Sequence, residues 1–84
     1  MLFKSAEADC MLQILQLLSI GKSKYKTMFK ATKKSHLTLQ NVLKYLTKNK
    51  FIQRKETAYK IIDYEITSKG KILLEKLKDL NSIL

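Results

Sequence analysis

Gln40, Lys44 and Lys48 recur every four residues, and Asn41 stands beside them. On a helix, side chains three or four apart share a face, so these four form one polar stripe. An amide sets a donor beside an acceptor, the pattern that pairs with an adenine edge in the major groove of a duplex. Ammonium groups neutralise phosphates. A second set of cations, Lys24, Lys26, Lys30, Lys33 and Lys34, lies just upstream, and a third, Arg54, Lys55 and Lys60, just downstream. The chemistry on offer is recognition of a polyanion rather than bond making.

The residues that could catalyse are isolated. Cys10 is the only cysteine and His36 the only histidine, too few for a zinc site or an internal disulfide. No metal and no cofactor are expected. Cys10 reads as a small buried apolar residue, with an intermolecular disulfide as the alternative. His36 reads as a polar turn residue near a phosphate, with pH sensing or a metal as the alternative. Asp63 and Glu65 alternate with apolar neighbours and lack a His or nucleophile partner, so they read as solvent-facing strand residues. An enzyme is not expected.

The net charge is +10, and its placement is uneven. Residues 1–20 carry Lys4 against Glu7 and Asp9, a net of −1, and residues 61–84 balance to zero. Residues 21–60 carry eleven Lys and Arg54 against Glu56 alone, a net of +11. A solvated coat of the kind thermophile proteins carry would be spread more evenly; a segregated excess is the footprint of a polyanion site. Sixteen of the seventeen cations are Lys, which suits phosphate better than bidentate contact with guanine. No apolar run reaches the roughly 18 residues of a membrane span, and acids precede the first apolar stretch, unlike a secretory leader. A cytoplasmic protein is expected, in the host cytoplasm if a virus or plasmid encodes it.

These residues need elements to position them. With 84 residues the chain makes one domain, 1–84. Ser5 to Ile20 reads as a first helix, apolar almost all round and ended by Gly21 as a left-handed cap. Lys24 to about Thr32, capped by Ser23, reads as a second helix, and Leu39 to about Lys48, capped by Thr38, as a third. Val42, Tyr45 and Leu46 form the inward face of the third. Phe51 to about Lys55 and Lys60 to Ile66 read as two strands of a hairpin, with Ile62, Tyr64 and Ile66 turned inward. Thr67 then caps a last helix, Ser68 to Leu84. The fold class is α+β and mostly helical: a winged helix-turn-helix, with the helix-turn-helix at about 24–48, the wing at about 51–66 and the last helix at about 68–84.

The run Leu37-Thr38, Val42, Tyr45-Leu46, Phe51-Ile52, and then Tyr64-Glu65-Ile66-Thr67-Ser68-Lys69-Gly70 resembles the archaeal winged-helix regulators of the ArnR type. These are similar to small DNA-binding proteins of crenarchaea and their viruses and plasmids. The resemblance covers roughly residues 11–80. It implies DNA binding by the third helix and the wing, and dimerisation through the last helix. Such proteins carry Gly just before the first wing strand, where this chain has Lys50. Asn49 is the residue expected to take the left-handed conformation instead.

The reading that follows is double-stranded DNA binding by a transcription regulator. The third helix lies in the major groove and the wing on the flanking backbone or minor groove. The alternatives are a protein–protein docking module and a non-specific DNA-architecture protein. A homodimer is expected, because Leu73, Leu77, Leu80 and Leu84 follow the spacing of a coiled-coil seam, with the first helix assisting. No membrane partner and no small-molecule ligand is indicated.

Overall fold

The computed structural model describes residues 5–83, with side chains for residues 6–80. The element order is α1 (Ser5–Ile20), α2 (Tyr25–Thr32), α3 (His36–Lys48), β1 (Ile52–Ala58), β2 (Ile61–Ile66) and α4 (Ser68–Ile83). The two strands pair antiparallel, with Arg54 opposite Tyr64 and a bulge between Glu56 and Ala58. Among the described residues, no helix is long and apolar enough to cross a membrane.

α1 is the core of the molecule. It packs against α2, α3, α4 and β2. This is why a helix apolar on nearly every side forms here: the domain itself covers Cys10, Ile14, Leu15 and Leu18. Burying each such Leu or Ile contributes about 1.5–3 kcal/mol. Most of the apolar surface of α1 is thus covered within the chain; Leu12 and Leu17 are half-buried, and Ile20, at its end, is exposed. Cys10 is fully buried, which places it out of reach of an intermolecular disulfide. Burial pushes its thiol up to about 11, and the nearby Lys34 opposes the shift.

Several boundaries differ from the sequence reading, each for a local reason. Gly21 is not left-handed, since no glycine has a positive φ. The chain leaves α1 towards Ser23, whose N–H and carbonyl pair with Tyr64 of β2 at 3.0 and 2.8 Å. Ser23 is thus spent on this bridge, and α2 begins after Lys24 with no side-chain cap. α3 starts three residues earlier than expected, because Ser35 rather than Thr38 caps it: Ser35 Oγ accepts from the Thr38 N–H at 3.2 Å. Lys50, not Asn49, takes the left-handed conformation, with φ 63° against −90°. Asn49 remains the C-cap, and its side-chain amide donates to the Tyr45 carbonyl. A left-handed lysine costs roughly 1–2 kcal/mol relative to glycine.

The turn between α3 and β1 is held by α4. Thr67 Oγ1 sits 2.7 Å from the Lys50 carbonyl and 2.9 Å from that of Phe51, and accepts from the Gly70 N–H at 3.0 Å. Lys69 Nζ donates to the Asn49 carbonyl at 3.0 Å and lies over the Phe51 ring. A Cβ on Gly70 would stand 2.0 Å from the Phe51 carbonyl oxygen, so only glycine admits this approach. Thr67 caps α4 as expected. The Thr67-Ser68-Lys69-Gly70 motif is thus a clamp that sets the angle at which the wing leaves α3.

β2 does not follow simple alternation. Tyr64 and Ile66 pack on the core as expected, but Asp63 is buried, not solvent-facing. Lys24 Nζ at 3.3 Å and the Thr57 hydroxyl at 3.4 Å fold over its carboxylate. A buried carboxylate with two such partners is tolerated where a lone one is not.

Candidate nucleic-acid interface

α2 and α3 meet at a three-residue turn. Lys33 ends α2 in the left-handed conformation, with φ 55°, and its N–H donates to the Phe29 carbonyl. His36, the first residue of α3, stacks on Phe29 with ring centroids 3.8 Å apart. Its Nδ1 is 2.9 Å from the Tyr25 hydroxyl. The histidine expected in the turn thus begins α3 and joins the two helices. Leu39, Val42, Leu43 and Leu46 bury the inner face of α3. Gln40, Asn41, Lys44 and Lys48 are all exposed on the other side, as the spacing requires.

A groove of about 560 Å³ runs between α3 and the hairpin. It is lined by Gln40, Leu43, Lys44, Thr47 and Lys48 of α3, by Arg54 and Tyr64 of the hairpin and by Tyr25 of α2. The structure therefore brings three of the stripe residues of α3 to one concavity with the wing arginine. Sequence reading gave no sign of this groove, because it depends on the angle between α3 and the wing.

The ten cations expected to bind divide into two groups. Lys24 pairs with Asp63, Lys34 with Asp9 at 2.8 Å, and Lys55 with Glu65 at 3.0 Å. Lys55–Glu65 is exposed on both sides, and such a pair contributes about 0–1 kcal/mol and exchanges readily for another anion; Lys24 is instead tied to the buried Asp63. Lys26, Lys30, Lys33, Lys44, Lys48, Arg54 and Lys60 are exposed and carry no ion pair among the described residues. Lys60 lies in the hairpin turn rather than in β2, with φ 59° and its N–H on Glu56 Oε1. No acidic residue occurs between Tyr25 and Lys48, so α2, the turn and α3 themselves contribute only positive charge.

Two exposed apolar side chains on this side escaped the sequence reading. Tyr59 stands at the hairpin tip, 83% exposed, with Lys60 Nζ 5.2 Å from its ring centroid. Leu37, which lies ahead of the third helix when that helix is read from Leu39, is the second residue of α3 and 69% exposed. The signal for Leu37 was present: Ser35 is an equally good cap three residues before Thr38, and it sets Leu37 three before Gln40.

The expected dimer seam on α4 is partly spent within the chain. Leu74 is buried, and Leu73 and Leu77 are half-buried against the domain's own core. Leu80 and Ile72 remain exposed. Leu84 lies outside the described residues.

Three helices around a central core helix, a two-stranded hairpin after the third of the chain's helices and a basic face shared by that helix and hairpin define the winged helix-turn-helix class. The sequence matches that family over residues 4–84, and the chain belongs to it. Among solved structures it is similar to the crystal structure of the circadian clock associated protein Pex from Anabaena. The two share 20% identity and superpose with a TM-score of 0.71 over 92% of this chain and 79% of the other. No curated protein matches the sequence.

Proposed function

We propose that this protein binds double-stranded DNA as a transcription regulator, with α3 in the major groove and the hairpin on the flanking backbone or minor groove. The observation that carries this reading is the groove lined by Gln40, Lys44, Lys48 and Arg54, with no acid in its lining. A helix fits the major groove, its amides read adenine edges, and cations on either side hold the phosphates. The resemblance to archaeal regulators of the ArnR type supports control of transcription. One observation favours a second reading, non-specific DNA architecture: sixteen of the seventeen cations are Lys, the cation better suited to phosphate than to bases.

A homodimer through α4 completes the proposal. Its surface is the exposed Ile72 and Leu80, flanked by the half-buried Leu73 and Leu77. A two-fold pair would set two α3 helices on one face of the duplex, so the target is a pseudo-palindrome with half-sites about one turn apart.

The test separates affinity from specificity. After selection of bound fragments from a random duplex pool, Gln40→Ala or Asn41→Ala loses about 1–3 kcal/mol on the best site and little on random DNA. Lys30→Ala and Lys33→Ala weaken both alike. Equal losses on the two DNAs for the amide variants point to the architectural reading; no binding at all points to a docking module.

A further inference from the structure

Leu37 is 69% exposed, while Leu39, Leu43 and Leu46 of the same helix are buried. It lies three residues before Gln40, four before Asn41 and seven before Lys44, so it stands on their face, at the N-terminal end of α3. Its position is rigid: Ser35 caps the helix entry, and the adjacent His36 is stacked on Phe29 and held by Tyr25. Its sequence neighbours on the turn, Lys33 and Lys34, are cationic. A large apolar side chain on such a surface is out of place against phosphate. The one apolar feature that a duplex offers in its major groove is the C5-methyl group of thymine.

We propose that Leu37 packs on a thymine C5-methyl and is a specificity-determining residue. The inference rests on the reading that α3 enters the major groove, where the N-terminal residues of such a helix meet base edges. The site then holds a thymine within a base pair or two of the adenine read by the amides.

The experiment uses the full chain and the best duplex selected from a random pool. Each thymine is replaced in turn by deoxyuridine, which removes the methyl and keeps the base pairing. At one position the replacement weakens the unsubstituted protein about fourfold, the fold-change for one methyl returned to water. Leu37→Ala binds thymine and deoxyuridine alike at that position, and Leu37→Met keeps most of the discrimination. Because Leu37 is exposed, both variants fold, which circular dichroism verifies. Equal sensitivity of the unsubstituted protein and Leu37→Ala at every position, or a selected site without thymine, overturns the assignment while DNA binding stands. Absence of any duplex binding overturns the major-groove reading and the assignment with it.

Discussion

Substituting Gly70 by alanine tests the clamp that aims the wing. The new Cβ would stand 2.0 Å from the Phe51 carbonyl oxygen, 3.0 Å from its carbon and 2.8 Å from Ile66 Cγ1. Backbone cannot interpenetrate, so α4 and the α3–β1 turn must separate by about 1 Å, an overpacking cost of about 1–3 kcal/mol. The same carbonyl accepts the Thr67 N–H at 3.0 Å and lies 2.9 Å from Thr67 Oγ1. Stretching those contacts adds about 1 kcal/mol. Alanine returns about 1 kcal/mol through its better helix propensity. The net loss is about 2 kcal/mol, which lowers the Tm of a domain this size by roughly 8–16 °C. Gly21→Ala is the control: nothing lies within 4 Å of its Cβ, so stability should change by no more than about 0.5 kcal/mol. Thermal and urea unfolding followed by circular dichroism measure both. A Gly70→Ala protein that melts at or above the unsubstituted one would refute the clamp.

Two further outcomes follow from burial. Leu80→Lys leaves the fold intact, because the side chain is 54% exposed, and turns a dimer into monomers with weaker DNA binding; sedimentation at micromolar concentration measures this, and an unsubstituted protein already monomeric there yet tight on DNA sinks the dimer. Cys10 titrates at 9.0 when unfolded and near 11 when folded, so its thiol is deprotonated first in the unfolded chain. Its contribution to stability is complete below pH 9 and is lost between pH 9 and about 11. Cys10→Ala should remove that part of the pH profile, and identical slopes for the two proteins over that range would show that the thiol is not shifted.

Element order was legible because each element carries its own period and punctuation. The stripe of Gln40, Lys44 and Lys48 needed only helical spacing, and the structure exposes all three. What escaped was decided between distant residues. Ser23 reads as a helix cap until Tyr64 claims its backbone. Asp63 reads as a surface carboxylate until Lys24, thirty-nine residues away, and Thr57 close over it. Lys50 is left-handed because Thr67, Lys69 and Gly70 fix the turn from the other side. Heptad spacing did not show that Leu73 and Leu77 would also pack against their own core.

The central claim is that the basic excess on α2, α3 and the hairpin is a footprint for the DNA backbone. Lys26, Lys30, Lys33, Lys44, Lys48, Arg54 and Lys60 are exposed without ion pairs among the described residues. If about six of these cations meet phosphates, log affinity plotted against log salt has a slope near −5. The most direct measurement is that slope, taken by fluorescence anisotropy on a labelled duplex across a salt series. A slope near −5, made shallower by about one unit in Lys44→Ala, is the predicted result. A slope shallower than about −2, or no binding at the lowest salt, would contradict the account.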